Sequence, residues 1–375
     1  MIKVIALLCL AIYGAIISLL VGLKLELSKK YNVSDAKAGL LFSIFMLGGA
    51  VSIIVLSSLV DILGHKIVTI FGFGFTAIAL TILSFCKSYK STLGVYMLMS
   101  IGAMCIVSVG NTIPALVLFN GENASAATNL GNAFYGVGAF LVSFYISNLL
   151  RNYGYRKTIL FFASLVMICA VLSFFAKFPI IESNFNFSDL PYVLSSSFFI
   201  IALLANFFGA GVENGIAAWA NTYMSRHGST DKQANSILSF FFIAVLLSRL
   251  ITATFITPDN TPIVLLVIAV LTVIVITVMI SLNTRLSSAI CIVTAGLLVG
   301  AICPSIFGYM FSKVDPAFHG TAFGILFSLG VAGGSVVPGL IGYTTKKGGL
   351  RKGFRINILS AALFGVCTLI MMMFK

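Results

Sequence analysis

The chain consists mainly of long apolar runs, separated by short stretches that contain charged residues, glycine, proline or asparagine. A helix needs ~20 residues to cross the hydrocarbon core of a bilayer, because each residue adds only about 1.5 Å. Each apolar run is long enough for one crossing. The pattern predicts twelve transmembrane helices, at residues 3–23, 36–60, 67–86, 93–118, 127–148, 157–178, 192–225, 233–256, 262–282, 287–310, 320–345 and 354–374.

Composition supports the membrane interpretation. Of 375 residues, 59% are hydrophobic and only 9% are charged, whereas soluble domains carry about 25% charged residues. These values exclude a large soluble domain, a DNA-binding module and a disordered chain. They predict an all-α polytopic membrane protein in contact with the lipid bilayer.

The formal net charge of +13 does not indicate nucleic acid as a partner, because the basic residues are scattered through short connections. Such a distribution points instead to a membrane surface or an anionic solute. The seven cysteines lie in or beside apolar runs without CxxC spacing, and are interpreted as small buried hydrophobic side chains. We expect no metal site and no cofactor.

Short stretches recur in the two halves of the chain at a similar spacing. The matched pairs, at separations of 196, 190 and 193 residues, are Asp35 with Asp231, Pro114 with Pro304, and Phe134 with Phe327. Duplicated halves of six helices are typical of transporters, with the substrate near the bilayer midplane between them. We therefore expect six-helix bundles at residues 1–178 and 191–375, joined by a cytoplasmic linker at 179–190.

The connection between the second and third segments contains Asp61, Gly64 and Lys66 in the stretch SSLVDILGHK. It resembles the signature loop of the major facilitator superfamily, although Ser57, Ile62 and His65 depart from the usual pattern. The resemblance implies the two-bundle fold of that superfamily and a role for the loop in gating. Gly64 allows a tight turn, and Asp61 could interact with the N-terminus of a neighbouring helix.

A narrower resemblance involves the fourth, fifth, seventh and eighth segments. The stretches that carry it are NTIP from Asn111, NLGNAFYGVGA from Asn129, GVENGIAAWANTY from Gly211, and SRL from Ser248. They are similar to the fucose–galactose–glucose:proton symporter family, which implies symport of a sugar-like solute with protons. The first segment has no acidic residue, and Val109 stands where an acid can occur in the fourth segment of that family.

Glu213 is the one acidic residue deep within a predicted segment. An intramembrane carboxylate is costly unless it faces a cavity or a partner, and it usually has a function. We therefore predict that Glu213 binds substrate, carries the coupling proton, or does both; a purely structural carboxyl is the alternative. Arg249 is the one basic residue deep in a segment, and it could balance Glu213, bind an anion or cap backbone carbonyls.

Polar side chains that recur at helical spacing complete the predicted substrate site. Amides are sparse in bilayers because they need partners there. The candidates are Asn111, Asn129, Asn132, Tyr135, Asn206, Glu213, Asn214, Trp219 and Asn221. The alternatives are interhelical hydrogen bonds for the asparagines and an interfacial position for Trp219. Pro114 and Pro304 are expected to kink their helices.

Nothing in the sequence resembles a hydrolase, protease or ATPase motif, so we expect no enzyme activity. The predicted function is secondary active transport by alternating access, by a monomer. Efflux of an amphiphile or drug, anion transport, and a sensor or assembly protein that transports nothing remain alternatives.

The orientation predictions conflict with each other. The superfamily resemblance implies that both termini lie in the cytoplasm, and a bacterial inner membrane is favoured. Five Lys and Arg residues then fall on the cytoplasmic side and 17 on the other. This is the reverse of the positive-inside rule. A basic outer vestibule that attracts anions would be one explanation.

Overall fold

The computed structural model describes residues 1–181, 191 and 195–374, and the regular structure of these residues is helical throughout. Two short 3-10 turns, Leu118–Gly121 and Pro316–Phe318, precede long helices. The α-helices are α1 Ile2–Gly22, α2 Lys24–Tyr31, α3 Asp35–Phe85, α4 Tyr89–Val117, α5 Ala124–Phe175, α6 Ser197–Arg226, α7 Asp231–Phe255, α8 Thr261–Leu282, α9 Arg285–Val299, α10 Ile302–Phe311, α11 His319–Gly348 and α12 Leu350–Met371.

Ten helical stretches in the described part of the chain are long and apolar enough to cross a membrane. Two of them, α3 and α5, have 51 and 52 residues and each contains a glycine with positive φ, Gly64 at +80° and Gly154 at +74°. These backbone angles are not helical and favour glycine. Each glycine therefore divides its helix into two spans, and counting both parts gives the twelve spans that the sequence predicts.

The tenth predicted segment, 287–310, lies in one apolar stretch, Arg285–Phe311, whose helix is interrupted just before Pro304. The regular helix α9 ends at Val299 and α10 starts at Ile302, with Gly300 and Ala301 between them in right-handed conformations, so that Pro304 is the third residue of α10. Proline has no backbone N–H, and its ring clashes with the carbonyl four residues earlier. A continuous helix at Gly300 is therefore disfavoured. Pro114 lies inside α4, which ends three residues later at Val117.

The short helix α2 was not expected from the sequence. It is too polar and too short to resemble a transmembrane segment, and it carries Lys24, Lys29 and Lys30. Asn32 ends it in the left-handed conformation, with φ of 48°, which is a common helix C-terminus. Lys29 and Lys30 lie in the last turn, where cations interact favourably with the helix dipole.

The described chain divides into two compact units. So far as these ranges are described, the first unit contains Met1–Glu122, Phe134–Asn186 and Asp315–Ile325. The second contains Asn123–Ala133, Phe187–Val314 and Leu326–Lys375. The division into bundles at 179–190 stays a prediction, and residues 182–190 of that linker lie outside the described part.

A close contact between helices recurs in both units. In the first unit, a methyl group added at Gly138 of α5 would collide with the carbonyl of Ala11 in α1. In the second, a methyl group at Gly333 of α11 would collide with the carbonyl of Phe207 in α6. The residues of the two contacts are separated by 195 and 196 positions, close to the repeat spacing in the sequence. In both units, a glycine thus allows the backbones of two helices, α1 and α5 or α6 and α11, to come into direct contact.

Candidate substrate and proton site

Glu213 lies near the middle of α6, in the second unit. The helix begins after Ser196, whose hydroxyl accepts a hydrogen bond from the backbone N–H of Phe199 at 3.2 Å. This start places Glu213 about four turns into an apolar helix, and its side chain is only 18% exposed. A carboxylate at such a position needs a partner.

The partner is Arg249 of α7, whose Nη2 lies 3.6 Å from Oε1 of Glu213. The same guanidinium donates from Nε to the carbonyl of Gly300 at 2.9 Å. It also donates from Nη1 to the carbonyl of Asn132 at 3.1 Å. Arg249 therefore both balances Glu213 and caps carbonyls, joining α7 to α6, to the start of α5 and to the break before α10.

Pro304 explains why the carbonyl of Gly300 can accept this bond. In a regular helix that carbonyl would accept from the N–H of the residue four positions later, and Pro304 has none. An unpaired buried carbonyl is costly. The Nε of Arg249 supplies the missing donor, so the sequence position of one proline determines where the arginine binds.

The first turns of α5 are attached to α10 beside this ion pair. The hydroxyl of Thr128 donates to the carbonyl of Pro304 at 2.7 Å, and Nδ2 of Asn129 donates to Oγ of Ser305 at 2.9 Å. Thr128 and Ser305 were not among the predicted site residues. The sequence could have indicated them, because Thr128 directly precedes Asn129 and Ser305 directly follows Pro304.

Three predicted asparagines have a buried side-chain oxygen without a hydrogen-bond partner in the described part of the chain. These oxygens are Oδ1 of Asn129, of Asn206 and of Asn221. Their amide nitrogens are occupied, since that of Asn206 donates to the carbonyl of Leu326 at 2.7 Å. Buried polar atoms are usually paired. These oxygens are enclosed by protein, so a solute hydroxyl or N–H could donate to them only after the surrounding helices move apart.

Four predicted asparagines, Asn221 among them, donate through their amide N–H groups within the protein. Asn111 donates to Val107, Asn132 to Thr128 and Asn214 to Ala210, each at 2.9 Å, and Asn221 donates to Asn235 at 2.7 Å. The first three bonds join residues four positions apart in one helix. The fourth joins α6 to α7.

The two aromatic candidates belong to different units. Trp219 is half-buried, its Nε1 donates to the carbonyl of Pro338 at 3.1 Å, and its ring packs against Gly342. Tyr135 packs against Tyr13 in the first unit, with the ring centroids 5.7 Å apart. The indole N–H of Trp219 is therefore used for helix packing, and its ring stays partly accessible.

The gating candidates lie in the first unit. Asp61 accepts three hydrogen bonds of 2.7 Å, from the backbone N–H of Gly320 and from the N–H and hydroxyl of Thr321. These residues form the first turn of α11, whose N-terminus attracts anions. Gly64 provides the reversal within α3, and the exposed Lys66 lies over the ring of Phe174, at 5.7 Å from its centroid.

A membrane chain with twelve spans, repeated helix contacts and a buried ion pair beside a helix break has an architecture typical of polytopic transporters. Comparison with known protein families agrees. The profile of the Major Facilitator Superfamily matches residues 5–338. The chain belongs to this superfamily, and its fold is the major facilitator fold.

Similar proteins include transporters of several named solutes. A probable nitrate transporter, NarT, from Staphylococcus epidermidis is 28% identical over 371 residues, covering 92% of this chain and 88% of that protein. A variant of the E. coli fucose:proton symporter FucP has a TM-score of 0.80 at 18% identity, with 98% of each chain covered. The human organic anion transporter MFSD10 has a TM-score of 0.80 at 13% identity, covering 99% of this chain and 98% of that one.

Proposed function

We propose that this protein is a proton-coupled symporter that moves a small polar solute by alternating access. The observation that carries the proposal is the Glu213–Arg249 pair, largely buried within spanning helices and joined to the break between α9 and α10. Charged residues at such positions in membrane proteins commonly lie on proton or substrate pathways. The superfamily consists of transporters, which fits a protein without enzyme activity.

Protonation of Glu213 would change what Arg249 binds. With the carboxylate ionised, the two charges compensate each other across 3.6 Å. With the carboxyl protonated, the guanidinium keeps its carbonyl bonds to Gly300 and Asn132 but loses its counter-charge. The start of α5 and the break before α10 are held by the same guanidinium. Proton binding can therefore favour one arrangement of these helices over another.

The solute is proposed to be sugar-like. Support comes from the fold shared with a fucose:proton symporter and from the unpaired oxygens of Asn129 and Asn206. Several hydroxyl groups on a polyol could donate to such acceptors. The half-buried ring of Trp219 offers an apolar face of the kind that packs against a pyranose ring.

A small anion is the second candidate solute. Protonation of Glu213 would leave Arg249 with an uncompensated positive charge, which would favour an anion entering together with the proton. A relative named as a probable nitrate transporter and a similar fold named as an organic anion transporter support this possibility. The residues proposed for coupling are the same for both solutes.

Asp61 is proposed to act in gating. Its carboxylate binds the first turn of α11 through Gly320 and Thr321, so opening this contact would expose both the charge and the unpaired N–H groups. Gly64 and Lys66 complete the turn beside it. The contact would form and break once in each transport cycle.

Uptake into proteoliposomes tests the function and the solute class together. The purified protein is reconstituted and given an inward proton gradient with labelled sugars, polyols, nitrate or organic anions outside. We expect concentrative uptake of one polar class that collapses when the gradient is abolished with an ionophore. Outward flux driven by the same gradient would favour efflux. The absence of flux and exchange for every solute would favour a sensor or assembly protein.

The proposal includes a cell membrane location, most simply a bacterial inner membrane, with both termini in the cytoplasm. A cysteine placed at Lys347 should then react with an impermeant maleimide added to intact cells. A cysteine at the exposed Lys313, which precedes α11 and would lie on the cytoplasmic side, should be protected. The reverse labelling pattern would mean that the positive-inside rule holds.

We also propose that the protein is a monomer. A protein mass of twice 40.0 kDa, measured by light scattering, would contradict this proposal.

A further inference from the structure

A basic pocket lies at one end of the first unit. It has a volume of about 530 Å³ and is lined by α2, the end of α3 and the turn of α5 that follows Gly154. The lining residues are Glu26, Lys29, Lys30, Ser84, Tyr155 and Arg156. Three cations therefore face one carboxylate, and the pocket has a net positive charge.

Aromatic rings rather than carboxylates hold two of these cations. Nζ of Lys30 lies 3.9 Å from the ring centroid of Tyr155, and the guanidinium carbon of Arg156 lies 4.1 Å from that of Phe85. Among the described residues, no carboxylate forms an ion pair with Lys29, Lys30 or Arg156. Partial burial lowers the pKa of Lys30, as expected for a cation without an anionic partner.

An apolar groove runs along the same helices. Its volume is about 390 Å³, and it is lined by α1 between Ala11 and Leu19, by Leu80 of α3, and by α5 on both sides of Gly154. The lining side chains are almost all aliphatic or aromatic. The apolar lining of the groove suits a hydrocarbon chain.

The groove and the pocket follow each other along three helices. On α3, Leu80 of the groove precedes Ser84 of the pocket by one turn. On α5, Arg156 of the pocket precedes Phe161 of the groove by five residues, or ~8 Å along a helix. Leu19, near the end of α1, leads into α2. The basic pocket therefore lies where the apolar groove reaches the membrane surface.

We propose that this composite site binds one anionic phospholipid. The headgroup phosphate lies among Lys29, Lys30 and Arg156, and an acyl chain occupies the groove beside α1. Basic pockets between membrane helices bind anionic headgroups, while the buried methylene groups of the chain add apolar affinity. A neutral lipid would leave the cations uncompensated, and a free phosphate would leave the groove unfilled.

Native mass spectrometry of the purified full-length protein in detergent tests the site. The protein is titrated with phosphatidylglycerol, with phosphatidylcholine of the same chains, and with inorganic phosphate. The double variant Lys30→Gln/Arg156→Gln is compared with Lys87→Gln/Lys90→Gln, a control that also removes two exposed cations from the first unit. We expect ~30-fold weaker phosphatidylglycerol binding in the first variant only, since each cation near the headgroup contributes about 1 kcal/mol.

A second measurement does not depend on how the variants fold. For the unaltered protein, phosphatidylglycerol with long acyl chains should bind more tightly than the same headgroup on six-carbon chains, and both should exceed phosphatidylcholine. Equal phosphatidylglycerol binding by the two double variants would overturn the proposal. So would binding of inorganic phosphate or phosphatidylcholine as tight as that of the long-chain anionic lipid.

Discussion

Replacing Glu213 by glutamine is expected to abolish accumulation driven by a proton gradient while solute exchange continues. Glutamine keeps the size of the side chain and can accept hydrogen bonds, but it cannot carry a proton across a cycle. One proton per neutral solute can support at most ~10-fold accumulation for each pH unit of gradient. The variant should reach only the external concentration, measured as labelled solute retained in proteoliposomes.

Two matched variants make this result specific. Glu213→Asp keeps a titratable carboxyl and should retain accumulation, with a changed pH dependence. Asp259→Asn removes an exposed carboxylate from the connection between α7 and α8 and should transport like the unaltered protein. Full accumulation by Glu213→Gln would mean that another group carries the proton.

Replacing Arg249 by glutamine is expected to cause the largest loss of stability among single changes at this site. Removing one partner of a buried ion pair costs about 3–5 kcal/mol, because the remaining charge is uncompensated. The carbonyl of Gly300 would also lose its donor, which costs about 1–3 kcal/mol if it stays unpaired. We expect a lower unfolding temperature of the detergent-purified protein, together with loss of transport.

The double variant Glu213→Gln/Arg249→Gln separates the charge from the carbonyl contacts. Removing both charges should recover part of the stability lost in Arg249→Gln, because no buried carboxylate is then left alone. Arg249→Lys keeps the charge but not the planar set of donors, so it should recover less than full stability. Arg285→Gln, at an exposed position, should change little. Strictly additive losses would contradict a direct interaction between Glu213 and Arg249.

Most of the fold could be predicted because hydrophobic length is a strong signal. The apolar runs identified all twelve spans, and the long helices α3 and α5 are divided at glycines between predicted segments. The helix α2 was missed because polar residues near a membrane surface give no length signal. The irregularity near Pro304 was predicted as a kink, and the structure has a two-residue interruption there. A proline pattern alone does not distinguish a kink from an interruption, since this depends on whether another group binds the freed carbonyl.

Only part of the candidate site could be predicted from the sequence. Glu213 and Arg249 could be singled out because charges deep within apolar runs are rare, and the geometry pairs them. The asparagines could not be ranked, since sequence spacing does not reveal which amide is already bonded. Asn129, Asn206 and Asn221 combine a place in the second unit with a buried, unpaired oxygen whose nitrogen is occupied by a neighbouring helix. Thr128 and Ser305 escaped notice because hydroxyl groups are common in membrane helices.

The most direct test follows protons rather than solute. Proteoliposomes containing a pH-sensitive dye, without an imposed proton gradient, are given an outside excess of the solute identified by the uptake screen. The unaltered protein should acidify the lumen as solute enters, and Glu213→Gln should admit solute with no change of internal pH. Equal acidification by both proteins, or solute entry without acidification by either, would contradict proton carriage by Glu213.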